Sequence, residues 1–443
     1  MPKPKFVKPL LIGVACTIPV GLVVGLSVNW DHTQFISAVG SSGVKPFIEN
    51  FGKAYHKSHK KFDVTVESGG TMFAVEQIAK GYTTIGNASN NPYLIVKDQG
   101  YKNKWDNKKT FTLGWEGLVM MYSLPDGLTQ ETIDKFNIVI SEDNILALYA
   151  VFSGYHEISS EAGKWDPLMD SLWWYAPEDV KASITNQNDI KLLKETKILP
   201  FVRAGGNTGA NSSIAFSYYS SLAEFEEMTK KQQDAFNYGQ YGHDGLTIMQ
   251  TDESNARAWQ SFVYKDQGGS MTYLTTSFIA NENNRKEIKK RGYKIAGYLP
   301  KQIAGQPAPQ PIFIDGTKES LDSICTLNGY NWYRPINIII DLTQQKAKDF
   351  VYWIYTGQDE DKPYTDSNLG KNFIDTVYKC GTKPLQESFF KTMFNPDETM
   401  VSSLKKVMFE KCSDLELEIV RQDEEVGYDY SQVYGAEDLW WRE

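Results

Sequence analysis

Histidine and cysteine are scarce in this chain of 443 residues, which holds five histidines and four cysteines. Cys16, Cys325, Cys380 and Cys412 show no CxxC spacing and no metal-like spacing with histidine, so they read as isolated thiols, with a Cys380–Cys412 disulfide left open. His56 and His59 stand in His56-Lys57-Ser58-His59-Lys60-Lys61, a solvated basic turn by composition. GxxxxGK[ST], HExxH and GxSxG are all missing, which removes the commonest signatures of nucleotide, zinc-dependent and serine hydrolysis. No metal and no cofactor is therefore expected, and the chain does not read as an enzyme. Positive charge is also in deficit: 46 Lys and Arg face 55 Asp and Glu, a net charge of -9 with a pI near 5.3. That balance argues against nucleic acid as a partner, and it means that any anion must be captured by local donors against a repelling global field. Low-complexity tracts and internal repeats are missing too.

The length favours two domains over a single core. At the N-terminus Lys3, Lys5 and Lys8 precede an apolar run from Leu10 to Val28, long enough to span a bilayer with its positive flank on the cytoplasmic side. An uncleaved anchor is the favoured reading. A lipoprotein signal using Cys16 after Gly13-Val14-Ala15 and a cleaved signal peptide are the alternatives. All three export the chain beyond Trp30, so the expected location is the cell membrane, with the folded part extracellular.

Beyond Trp30 one pattern recurs: a strand, a loop of small hydroxyl or amide residues, and a helix. Phe35–Val39 alternates like a strand, ends in Gly40-Ser41-Ser42-Gly43, and gives way to helical spacing over Val44–Tyr55 with Pro46 near the first turn. Phe62–Val66 is followed by Glu67-Ser68-Gly69-Gly70-Thr71 and a helix over Met72–Lys80; Thr84-Ile85-Gly86 leads into Asn87-Ala88-Ser89-Asn90-Asn91-Pro92. Ile198–Val202 is a strand running into Arg203 and the glycine-rich Ala204-Gly205-Gly206-Asn207-Thr208-Gly209. Such alternation argues for parallel βαβ units, whose ligands sit beyond the carboxyl ends of the strands. The first turn of a helix leaves backbone N–H groups unpaired and carries partial positive charge, and Arg203 adds a forked cation suited to an oxyanion. Phe111–Tyr122 reads as a strand closing the first group of units, Trp173-Trp174-Tyr175 as packing, and Ile336–Ile340 as a buried strand. The acidic tail from about residue 414 reads as surface.

These loops, in this order, resemble those of the phosphate-binding protein (PstS type) of bacterial ABC phosphate transporters. The match is carried by Gly40-Ser41-Ser42-Gly43-Val44-Lys45-Pro46, Val66-Glu67-Ser68-Gly69-Gly70-Thr71, Ile85-Gly86-Asn87-Ala88-Ser89 and Arg203 with its loop. Supporting segments are Gly268-Gly269-Ser270, Arg334-Pro335 and Gly381-Thr382-Lys383-Pro384-Leu385. The composition and long insertions are similar to those of cell-wall-less bacteria. The resemblance implies a two-lobed α/β fold, the type II periplasmic-binding-protein fold, with each lobe a mixed sheet flanked by helices and two crossovers joining them. Residues 31–125 and 281–443 would form lobe I, residues 126–280 lobe II, and residues 1–30 the anchor or signal.

It implies further that Ser41 and Ser42 serve phosphate from the first loop, Gly70 and Thr71 from the second, Ser89 or Asn90 from the third, and Arg203 with Asn207 and Thr208 from the opposite lobe. The implied partners are inorganic phosphate, the permease subunits of an ABC transporter and the membrane, with the chain itself a monomer. Gly43 departs from the bulky aromatic often found after the first hydroxyl. Asn90 stands where some members carry an aspartate that accepts the proton of phosphate, so another oxyanion such as sulfate stays open. A surface adhesion or structural protein that kept the fold without the ligand is the other alternative.

Overall fold

The computed structural model describes residues 34–384, apart from 90–91, 93–94, 97–98, 142, 154–165, 204–248, 252–254, 301, 303–304, 306, 325–328, 331 and 358–370. The N-terminal apolar run, Asn90, Asn207, Thr208, Cys16, Cys325, Cys412 and the acidic tail thus lie outside the described residues.

The first units form as their periodicities require. Strand β1 (Gln34–Gly40) turns Ile36 and Ala38 inward, and helix α1 (Lys45–Ser58) buries Phe47, Ile48, Phe51 and Tyr55 at three- and four-residue spacing. Strand β2 (Phe62–Ser68), helix α2 (Gly70–Ala79) and the wholly buried β3 (Ile85–Ala88) come next. β1 pairs in parallel with β2 on one side and β3 on the other. His56 and His59 pin the end of α1: His56 Nδ1 lies 2.7 Å from the Phe62 carbonyl, and the His59 ring stacks on Tyr55 at 4.0 Å.

The longest strand, β4 (Lys108–Tyr122), organises everything else. It is buried along nearly its whole length because both its faces are covered, and its sequence is largely apolar from Phe111 to Tyr122. The sequence reading made it the close of the first group of units; instead it belongs to two sheets. Its first part, through Gly117, pairs antiparallel with β11 (Tyr333–Asp341), which in turn pairs antiparallel with β3. Its last part, from Leu118 onward, pairs antiparallel with β8 (Ser270–Thr275), next to which lie β6 (Leu199–Arg203) and β7 (Met249–Thr251) in parallel. The order is β2-β1-β3-β11-β4-β8-β6-β7.

The chain crosses from the first sheet to the second along β4 and returns on entering β11. This is the two-lobed α/β fold of the type II periplasmic-binding-protein class, each lobe built on a mixed sheet. The short strands β9 (Lys294–Ile295) and β10 (Gly297–Tyr298) pair with the far end of β4 and with β5 (Val139–Ile140), while β12 (Lys383–Pro384) returns to the first part of β4. Buried tyrosines fasten the bend: Tyr330 donates to the Leu118 carbonyl and Tyr355 to that of Thr112.

Candidate functional site

Strand directions fix where the loops meet. β3 is antiparallel to β11 and β11 to β4, so β1, β2 and β3 run in the direction of β4, towards the second sheet. β8 is antiparallel to β4, and β6 and β7 run with β8, so these three point back towards the first sheet. The carboxyl ends of both sets therefore face one another across the stretch of β4 where it changes partners. That is where ligands bind in open α/β sheets.

On the first-lobe side three loops converge. Gly40 is in register with Ser68 and with Asn87. Ser41 N–H donates to the Asn87 carbonyl (2.8 Å) and Gly69 N–H to the Gly40 carbonyl (2.8 Å), which ties the loops together directly. Gly40 has φ +138°, and a Cβ there would stand 2.2 Å from the Asn87 carbonyl oxygen, so only glycine lets the strands come this close.

Ser41 is buried, and its hydroxyl accepts from Gly43 N–H at 3.3 Å; Ser42 is half-buried. Gly70 opens α2 with φ +80°, earlier than the sequence reading started this helix. Thr71 is buried, and its hydroxyl accepts Ser89 N–H at 3.1 Å. Ser41, Ser42, Gly70, Thr71 and Ser89 are thus brought to one sheet edge. Neither α1 nor α2 has a side-chain cap at its N-terminus, so two helix starts point to the same edge; in α1 Pro46 carries no N–H and the Phe47 N–H donates to the Val44 carbonyl at 3.1 Å, so α2 has the more open first turn.

On the opposite side Arg203 ends β6, in register with Thr251 of β7. Asn90, Asn207 and Thr208 lie outside the described residues.

The floor between the two sets holds a cluster that the sequence reading missed. Glu116 of β4 is fully buried. One carboxylate oxygen, Oε2, accepts from Arg334 Nη2 at 2.9 Å and Nε at 3.1 Å; the other, Oε1, accepts from the Ser277 hydroxyl. Arg334 belongs to β11 in the first sheet and Ser277 lies just past β8 of the second. Ser277 Oγ lies 2.7 Å from Thr275 Oγ1, which accepts from Asn255 Nδ2 at 2.8 Å, and Gly117 N–H donates to Thr276 Oγ1 at 3.0 Å. A polar chain thus crosses the bend from one lobe to the other through a single carboxylate.

Gly43 lies against that pair: a Cβ there would be 2.6 Å from Glu116 Oε2 and 2.9 Å from Arg334 Nη2. Nearby, burial pushes the Cys380 thiol up to about 11, against an opposing hydrogen bond from Asn50 and with the Glu116 charge adding to the rise. The one signal of this cluster in the sequence is Glu116, the lone charged residue in the largely apolar run Phe111–Tyr122.

Comparison with known proteins adds a relative and a set of looser structural likenesses. No protein-family model matches the chain. An uncharacterized lipoprotein, MG412, of Mycoplasma genitalium is 27% identical over 396 residues, covering 84% of this chain and 89% of its own. Among solved structures, the ancestral soluble variant of the human phosphate binding protein overlaps with a TM-score of 0.49 at 10% identity, over 85% of this chain and 94% of that one. PstS from Borrelia burgdorferi overlaps with a TM-score of 0.40 at 15% identity, over 80% and 99%. A variant of the OxyR2 regulatory domain from Vibrio vulnificus also overlaps, with a TM-score of 0.32 at 7% identity, over 72% and 94%. Overlaps this loose carry no argument about ligand or activity.

Proposed function

We propose that the protein is an extracytoplasmic solute-binding protein that captures inorganic phosphate between its two lobes and delivers it, without chemistry, to an ABC permease. One observation carries the reading: two uncapped helix N-termini and the hydroxyls of Ser41, Ser42, Thr71 and Ser89 gather at one sheet edge, opposite the strand that ends in Arg203. Open N–H groups and hydroxyls suit an oxyanion, and they supply local donors in a chain whose net charge is -9. Phosphate would be held by Ser41, Ser42, Gly70, Thr71, Ser89 and Asn90 from lobe I and by Arg203, Asn207 and Thr208 from lobe II. Bridging the lobes, it would shift the population towards a closed form. Attachment to the membrane would run through residues 1–30, as an uncleaved anchor or through lipid on Cys16; the relative's name as a lipoprotein supports attachment.

Calorimetric titration of the full chain in detergent with phosphate and with sulfate tests this. The expected result is saturable one-site binding of phosphate. It should weaken in Arg203→Ala by about 2–5 kcal/mol, the loss seen when one partner of a buried charge pair is truncated. Wild-type affinity in that variant removes Arg203 from the site, and no heat with phosphate removes the function. Tighter binding of sulfate would favour the second reading, for which Asn90 in place of a carboxylate is the motive.

A further inference from the structure

The Glu116–Arg334 pair is bonded in a way that leaves the cation unfinished. Arg334 brings five N–H donors, of which Nε–H and one on Nη2 go to the same oxygen of Glu116. The second carboxylate oxygen is taken by Ser277, so the fork-to-fork pairing that would close off a structural arginine is not made. The remaining N–H groups have no partner among the described residues, although the side chain is only 13% exposed. Unmet donors on a largely buried cation are costly unless water or a ligand meets them.

The register says where those donors are. β3 pairs with β11 only from Asn337 onward, so Arg334 lies past the carboxyl end of β3, in the gap from which the third loop departs. On its other side is the first loop, since the space a Cβ of Gly43 would need is bounded by Glu116 Oε2 and Arg334 Nη2. Asn87, paired with Ile338 on the face of β11 that also carries Arg334, has both its buried carboxamide atoms without a partner among the described residues. The guanidinium therefore sits where the loops assigned to the anion come together, with donors to spare.

We propose that Arg334 is a second cationic ligand of the oxyanion, held in orientation by Glu116 and admitted to the first loop by the missing side chain at Gly43. This inference rests on the phosphate-binding reading above. A phosphate oxygen seated on the amides of the first loop would accept from the free edge of the guanidinium, while Glu116 neutralises the cation when the cleft is empty. Glu116 is a positioning residue: through Ser277 it sets the guanidinium relative to the second lobe as well as the first.

The test is titration of the full chain with inorganic phosphate, using the double variant Glu116→Gln/Arg334→Gln. This change removes both charges together, so no lone buried charge is left to unfold the protein. The expected result is a wild-type-like circular dichroism spectrum with phosphate affinity reduced about 10- to 100-fold, as for loss of hydrogen bonds from a charged donor. Arg334→Lys, which keeps the charge but not the fork, is expected to bind several-fold more weakly, and serves where the double variant does not fold. Wild-type affinity in either folded variant overturns the inference and leaves the phosphate reading standing. Failure of the unaltered chain to bind phosphate overturns both.

Discussion

Replacing Gly40 by alanine probes the joint on which the first-lobe loops depend. The residue has φ +138°, a region that costs an L-residue of order 1–3 kcal/mol. The new Cβ would lie 2.2 Å from the Asn87 carbonyl oxygen and 2.6 Å from Ala74 Cβ. Neither is the end of a flexible side chain, so β3 or α2 must move, at an overpacking cost of about 1–3 kcal/mol. Separation of the strands also weakens the 2.8 Å bond from Ser41 N–H to Asn87, worth about 1 kcal/mol. The expected loss is then about 3–7 kcal/mol, together with loss of phosphate binding. Gly81→Ala is the control: φ is +72°, but nothing lies within 4 Å of its Cβ, so only the left-handed backbone cost of about 1–2 kcal/mol applies. Urea unfolding of the full chain, followed by circular dichroism and tryptophan fluorescence, measures both. Equal losses in the two variants would refute the close-approach argument.

Thr71→Val leaves the Ser89 N–H without its acceptor and should cost about 1–3 kcal/mol, with faster hydrogen exchange at Ser89 that Thr71→Ser restores; unchanged exchange contradicts it. Burial, with the Glu116 charge adding to it, raises the Cys380 thiol to about 11, so its contribution to stability is complete below the ordinary value of 9.0 and fades as pH rises through about 11. At pH 8 iodoacetamide should label the Cys380 peptide far more slowly in the native chain than in denaturant, and equal rates would contradict the buried placement. For Asp341, burial pushes upward, but the Lys108 ammonium at 2.6 Å and the Thr343 hydroxyl and amide outweigh it and hold the carboxyl below 3.8. Its stabilisation is therefore present above that value and lost as pH falls through the folded one. Asp341→Asn should lower stability at pH 7 by about 1–3 kcal/mol and flatten the acid limb of the stability profile, whereas a parallel limb would contradict the pairing.

The first lobe was legible because its elements are local. The alternation of Phe35–Val39, the Gly-Ser punctuation and the helical spacing after Val44 each occupy a few neighbouring residues, and each became the expected element. Helix α2 began earlier than its apolar pattern suggested, because Gly70 can open a helix at positive φ. β4 was legible as a buried strand but not as a shared one. An apolar run declares that both faces are covered, and it carries no sign that Gly117 pairs with Tyr333 while Leu118 pairs with Thr275. Glu116 was hidden for the same reason: Ser277 is 161 residues away and Arg334 is 218, so no spacing rule joins them. The loop lining was written locally, whereas the floor was written by tertiary pairing.

The central claim is that one small oxyanion sits between the converging loops of the two lobes. Crystals of the full chain grown with arsenate, a heavier analogue of phosphate, would locate it by anomalous scattering at the arsenic edge. The account predicts a single strong peak over the N-termini of α1 and α2, within hydrogen-bonding distance of Ser41 or Ser42, Thr71 and Arg334 and facing the end of β6. A peak elsewhere, or none at saturating arsenate, would contradict it.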